Sequence, residues 1–312
     1  MTGEIPLGPG GEFDLVRALV ARFGAAAQGV GDDAGVLDVP AGETLLISTD
    51  SSVEDVHFRR GWLTPEEIGY RAATAALSDL AAMAATPRSI VVALTLPSVW
   101  RRDAEAIADG LARATGACGA NIVGGDVSDG PALSLVVTVV GSSPAPLSRT
   151  GARPGDAIWV TGSLGGPSVA LRAFESGAAP PPAARERFAG PRARVVDALW
   201  LARHGATAAI DISDGLASDL GHIAAASGVR IVLDLDRIPV FEGASVHDAA
   251  AGGEEYELAI AGPADLDPGA FARACGNSLT RVGVVEAGEP GVIVVQNGRP
   301  VALPRGYDHF ST

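Results

Sequence analysis

Apolar residues recur at helical spacing over residues 12–24, where Phe13, Val16, Leu19, Val20 and Phe23 share one face, so the spacing predicts an amphipathic helix. Residues 44–49 read as a strand ended by Asp50, and 53–58 as a short second strand. Thr64 opens a helix with Pro65 at its first position and Glu67 three residues on, a capping-box pattern. Thr86-Pro87 stops that helix near Ala85, because the residue before a proline is pushed out of the helical region. Residues 89–96 form a β-rich apolar run, 101–115 are helical in pattern, and 121–123 lead into Gly124-Gly125-Asp126. A strand over 133–140 closes this half.

The turn-rich stretch 141–146 marks the boundary between a domain of residues 1–146 and one of 147–312. The second half opens with a strand at 157–161, followed by Gly162-Ser163-Leu164-Gly165-Gly166 at the start of a helix. Residues 178–184, with three consecutive prolines, read as a surface loop. A helix over 192–203 precedes the apolar strand 206–210, which runs into Asp211-Ile212-Ser213-Asp214-Gly215 and another helix. Strands at 229–235, 256–261, 279–286 and 291–295 complete a chain of α/β or α+β class. A length of 312 residues supports two domains with a core each.

Composition narrows the chemistry. All 23 basic residues are arginine, which excludes a P-loop, a protein kinase and a Schiff-base enzyme, each of which needs a lysine amine. The net charge of −14 argues against a nucleic-acid surface. A phosphate-bearing substrate would be repelled unless metal ions intervened. Cys118 and Cys275 have no metal-ligand spacing and read as free thiols. No uncharged run approaches the roughly 18 residues of a membrane span, and the start lacks a signal-peptide pattern, so a soluble, cytoplasmic protein is expected.

Asp32 and Asp33 follow Gly31, Asp50 ends its strand, Asp126 follows Gly124-Gly125, and Asp211 and Asp214 follow another strand. Taken singly, Asp beside Gly marks an ordinary turn. Together these aspartates sit where strands give way to loops, the place where open α/β sheets gather ligands. Carboxylates converging there repel one another unless cations bind, and an all-oxygen set suits Mg²⁺. Asp79 lies among Leu77, Leu80, Ala81 and Ala82, so it either faces solvent or holds a metal. His57 reads as a satisfied core or edge histidine, and Arg149 as either a surface cation or a guanidinium fork for phosphate.

The ordered motifs resemble the thiamine-monophosphate kinase family, within the superfamily of aminoimidazole ribonucleotide synthetase. They are Gly31-Asp32-Asp33-Ala34, Ser48-Thr49-Asp50 with Val53-Glu54 and Val56-His57-Phe58, Ser78-Asp79-Leu80-Ala81-Ala82-Met83, Gly124-Gly125-Asp126, Ser148-Arg149-Thr150-Gly151-Ala152, Asp211-Ile212-Ser213-Asp214-Gly215-Leu216, Gly252-Gly253-Glu254 with Tyr256-Glu257-Leu258, and Gly306-Tyr307-Asp308-His309-Phe310. The resemblance implies an N-terminal mixed sheet that forms a barrel across a homodimer, and an α/β C-terminal domain. It implies magnesium at Asp33, Ser48, Thr49, Asp50, Asp79, Asp126, Asp211 and Asp214, with Asp50 and Asp214 central to catalysis. ATP would contact Gly125, Asp126, Arg149 and Ser213, and thiamine monophosphate would contact His57, Glu254 and Tyr307. The chain departs from the family pattern at Ala76, Ala84 and Asp55, at Ser51 and Ser52, and at Glu255; Ala84 and Asp55 stand where the family has Gly.

The implied reaction is metal-assisted, direct in-line transfer from ATP to thiamine monophosphate, giving thiamine diphosphate. The acceptor oxygen is already ionised, so no general base is required. Selenophosphate synthesis and hydrogenase maturation use a cysteine near one terminus, which this sequence lacks. An aminoimidazole ribonucleotide synthetase-like reaction and a non-catalytic nucleotide-binding regulator are the remaining alternatives.

Overall fold

The computed structural model describes residues 11–28, 30, 34–304 and 306. By its internal contacts the chain divides into two units, residues 1–80 with 85–145 and residues 81–84 with 146–312. The first contains α1 (Gly11–Phe23), β1 (Thr44–Val53), α2 (Pro65–Ala82), β2 (Thr86–Thr95), α3 (Ala104–Ala117), β3 (Asn121–Ser128) and β4 (Ser134–Ser143). Its sheet has the order β1-β4-β2-β3, antiparallel except for the β2–β3 pair. Helix α2 starts as its capping box requires: the Thr64 amide donates to Glu67 Oε2 at 2.8 Å and the Glu67 amide to Thr64 Oγ1 at 3.2 Å.

Several boundaries differ from the sequence reading, for reasons of pairing. Strand β1 does not stop at Asp50, because Thr44 to Val53 pair residue by residue with Ser143 to Ser134 of β4. Cross-strand hydrogen bonds carry it through the polar Thr49-Asp50-Ser51-Ser52. Residues 53–58 are not a second strand: Asp55 has φ 66° and its amide donates to the Phe58 carbonyl at 2.7 Å, closing a turn. Asp126 likewise lies inside β3, which stays paired with β2 as far as Ser128. Helix α2 ends at Ala82; Ala84 has φ 48° and the Ala85 amide donates to the Leu80 carbonyl at 2.9 Å. Asp55 and Ala84 thus both occupy the left-handed region that glycine enters without strain.

The second unit contains β5 (Ala157–Thr161), α4 (Gly166–Glu175), α5 (Pro182–Ala189), α6 (Val195–Arg203), β6 (Ala208–Asp211), α7 (Leu216–Ser227), β7 (Arg230–Asp234), α8 (Val246–Ala251), β8 (Leu258–Gly262), α9 (Pro268–Cys275), β9 (Leu279–Glu286), β10 (Gly291–Gln296) and β11 (Arg299–Val301). The run predicted as a loop over 178–184 is helical from Pro182, since proline suits a first helical turn, and Ala184 is buried. The seven-stranded sheet runs β11-β10-β7-β9-β5-β8-β6, with β10 parallel to β7 and its other pairs antiparallel.

Both faces of this sheet are covered. Ile158, Val160 and Ile210 pack with Leu216, Leu220 and Ala249 from α7 and α8, while Trp159, Ala209 and Ile260 pack with Leu201 and Phe271 from α6 and α9. Alternate residues of β5 therefore enter different cores, which is why that strand reads as an unbroken apolar run.

Candidate active site

Of the candidate residues, Asp33 and Tyr307 lie outside the described residues. In the first unit, the two-residue period of β1 sorts its candidates. Ser48 and Asp50 are half-buried and share one face, while Thr49 is exposed on the other and its hydroxyl meets Thr138 Oγ1 at 3.1 Å. Ser48 Oγ donates to Asp79 Oδ2 of α2 at 2.5 Å, so β1 and α2 bring Ser48, Asp50 and Asp79 to the helix-covered face. Asp126 pairs with Ala93 and is exposed on the open face with Thr49. Within the first sheet, register thus places Thr49 and Asp126 on the face opposite Ser48 and Asp50.

Gly125 faces the helices. A side chain there would place Cβ 2.3 Å from the Val92 carbonyl oxygen, so only glycine permits this approach of β3 to β2. Beside it is an apolar cavity of about 70 Å³ lined by Val16 and Leu19 of α1, Leu111 of α3, and Gly124, Gly125 and Asp126. His57 is in the turn after β1, where its Nδ1 accepts from the Val53 amide at 3.1 Å. The adjacent Glu54 holds the fold: its Oε2 accepts from Trp100 Nε1 at 2.9 Å and the Leu133 amide at 3.2 Å.

In the second unit, Asp211 is the last residue of β6 and is 5% exposed; Ser213 and Asp214 follow in a half-buried loop. The loop is laced to residues 254–257. The Ile212 amide donates to the Glu257 carbonyl at 2.8 Å, the Glu254 amide to the Ser213 carbonyl at 2.8 Å, and the Tyr256 amide to the Ile212 carbonyl at 2.9 Å. A Cβ on Gly253 would lie 2.4 Å from the Ser213 carbonyl oxygen, so the two segments close only over glycine.

A further acid belongs to this cluster. Asp219, in the first turn of α7 and 1% exposed, accepts through Oδ2 from the amides of Asp214 at 3.2 Å and Gly215 at 3.1 Å. Burial, then the charges of Asp211 and Asp214, push its carboxyl up to about 8. Ligand atoms of Asp214, Asp219 and His222 lie within 4.8 Å of one another. The sequence reading missed Asp219, whose signal was an acid between the apolar Leu216, Ala217 and Leu220. An excess of negative charge on oxygen donors fits a hard divalent cation.

Arg149 is exposed, and its guanidinium has no hydrogen-bond or ion-pair partner among the described residues. Its backbone is fixed by Ser227, whose Oγ donates to the Arg149 carbonyl at 2.7 Å and accepts from the Ala152 amide at 3.2 Å. Glu254 has φ 65° and Tyr256 φ 52°, and Tyr256 Oη donates to Glu254 Oε2 at 2.8 Å. The intervening side chains point into the protein. Glu257 pairs with Arg187 at 2.6 Å and Arg194 at 2.5 Å, and accepts from Thr161 Oγ1 at 2.6 Å. Glu255 accepts from the Gly165 amide and lies 3.5 Å from Arg187.

Residues 31–143 match the family of AIR synthase related proteins, N-terminal domain, and residues 153–296 the corresponding C-terminal domain, so the architecture is that of a two-domain AIR synthase-like protein. The chain is 37% identical to thiamine-monophosphate kinase of Salmonella typhimurium over 97% of its own length and 99% of the relative's. The crystal structure of thiamine-monophosphate kinase from Stenotrophomonas maltophilia K279a is similar with a TM-score of 0.81 at 34% identity, covering 95% of this chain and 98% of that one. AaThiL complexed with AMPPCP and TMP is similar with a TM-score of 0.77 at 30% identity, covering 96% and 97%. The chain belongs to the thiamine-monophosphate kinase family.

Proposed function

We propose that this protein transfers the γ-phosphoryl group of ATP to thiamine monophosphate, giving thiamine diphosphate and ADP. The observation that carries the reading is near-full-length similarity, at 37% identity, to an enzyme of that name. The candidate residues agree with it chemically. Asp211 and Asp214, with Asp219 behind them, would hold Mg²⁺ in the second unit; Ser48, Asp50 and Asp79 would do so in the first, with Asp33, Thr49 and Asp126 as the remaining candidates. Thr49, whose side chain is on the opposite face from Ser48 and Asp50, would reach an ion on theirs through its main chain. Bound magnesium neutralises phosphate charge and orients the γ-phosphoryl group.

The chain's own groups supply binding and orientation. The adenine ring would enter the apolar cavity between α1 and β3, against Gly125, with the adjoining main chain of Asp126 in its lining. Arg149 offers phosphate a guanidinium fork that has no partner among the described residues, and Ser213 a hydroxyl beside Asp214. His57, Glu254 and Tyr307 would hold the acceptor, with the Glu254 carboxylate complementing its cationic thiazolium ring. No side chain need remove a proton from the acceptor phosphate, and direct in-line transfer between the two bound substrates would form no phospho-enzyme.

The open face of the first sheet supports a homodimer closing a barrel. Leu45 is 53%, Ile47 70%, Val91 37% and Val136 37% exposed, and all share that face. A second copy of the sheet would bury them. Among the described residues no helix is long and apolar enough to cross a membrane. The function is tested by incubating the protein with ATP, Mg²⁺ and thiamine monophosphate. Stoichiometric ADP and thiamine diphosphate are expected; nucleotide binding without turnover would favour a regulator.

A further inference from the structure

Residues 254–257 combine features that ordinary packing does not require. Two non-glycine residues, Glu254 and Tyr256, occupy the left-handed region at φ 65° and 52°. Each such conformation is strained and persists only where the surroundings over-determine it. Here they do. The amides of Glu254, Glu255 and Tyr256 are fixed by the carbonyls of Ser213 and Ile212. The side chains of Glu255 and Glu257 point inward to the Gly165 amide, Arg187, Arg194 and Thr161.

The consequence is that the Tyr256 hydroxyl and the Glu254 carboxylate are brought together. A glutamate has three side-chain torsions, and holding its carboxylate in one direction costs rotamer entropy. Tyr256 is 7% exposed, so its ring is fixed by packing, and its hydroxyl donates to Glu254 Oε2 at 2.8 Å. A phenol donor on one carboxylate oxygen restrains the direction of the whole group.

We propose that Tyr256 is a positioning residue for the acceptor: it holds the Glu254 carboxylate, through this hydrogen bond, in the direction that meets the cationic ring of thiamine monophosphate. Tyr256 itself does not touch the substrate. The strained backbone serves to place a buried ring directly behind a partly exposed carboxylate. The inference rests on the assignment of Glu254 to the acceptor site.

The test compares steady-state kinetics of the full-length enzyme with Tyr256→Phe, Glu254→Asp and the double variant. Y256F removes one hydroxyl and keeps the ring. E254D keeps the charge but withdraws it from the hydroxyl by one methylene. Each is expected to raise KM for thiamine monophosphate about tenfold, the effect of one hydrogen bond to a charged group. The KM for ATP, kcat and Tm should stay near their original values, and the double variant should be no worse than E254D. An unchanged acceptor KM in Y256F, an equal rise for ATP, or a full further loss when Y256F is added to E254D would overturn the inference alone. No turnover by the unaltered enzyme would overturn the assigned function and the inference with it.

Discussion

The amide of Glu254 donates to the carbonyl of Ser213 at 2.8 Å, tying a residue proposed for the acceptor to one proposed for ATP. One main-chain bond thus couples the segment that follows β6 to the segment that precedes β8. Displacing either moves the other, so the second unit presents both groups as one rigid piece.

The acidic cluster gives the first prediction. Asp214→Asn should lower turnover by at least about 100-fold, since loss of even an outer-shell partner of a metal costs about 10–100-fold. Without Mg²⁺ the same variant should melt higher than the unaltered protein, because removing one of several like charges relieves about 1 kcal/mol of repulsion. Activity and Tm measured with and without Mg²⁺ check both. Asp50→Asn should show the same loss of activity, and near-normal turnover of either variant would remove that residue from the metal set.

Glu255 gives a pH dependence. Burial raises its carboxyl to about 8 from an ordinary 4.5, outweighing Arg187, whose closer partner is Glu257. Between those values the folded protein keeps a proton that the unfolded chain has released, so the folded state binds more protons and stability falls as pH rises through that window. Glu255→Gln keeps the acceptor for the Gly165 amide and does not titrate. Its Tm should fall less than that of the unaltered protein between about pH 5 and pH 8; parallel melting curves would refute the assignment.

Ile47 tests the dimer. It is 70% exposed on the open face of the first sheet, and Ile47→Asp would place a charge where a partner sheet should pack. Sedimentation should show dimer dissociation strengthened at least about tenfold, given the 1.5–3 kcal/mol from burying such a side chain. A monomeric unaltered protein would sink the barrel proposal at once.

The apolar cavity tests the nucleotide site. Ala108 of α3 lines it, and Ala108→Leu would fill space proposed for adenine. The KM for ATP should rise about tenfold while that for thiamine monophosphate holds, overfilling being worth about 1–3 kcal/mol. Equal affinity for ATP in the variant would move the base elsewhere.

Local and consecutive signals were legible in the sequence: the Thr64 capping box, the apolar face of α1, and the unbroken apolar run of β5. The motif order identified the family, and the absence of lysine was enough to exclude the common ATP-binding chemistries. Strand ends were not legible, because Thr44 to Val53 pair with β4 across about 90 residues, and that partner outweighs the local polarity of Thr49 to Ser52.

What the sequence determined by itself, then, is the identity and order of the acidic groups and the class of the fold, since both depend on residue type and short-range period. Tertiary structure alone decided which of those groups face one another. Register divides Ser48 and Asp50 from Thr49 and Asp126, helix docking sets Asp79 against Ser48, and the folding-back of residues 254–257 brings Tyr256 behind Glu254 and Arg187 behind Glu255 and Glu257. Such contacts join residues distant along the chain or reverse its direction through left-handed φ. Only the closed packing of strands and helices specifies them.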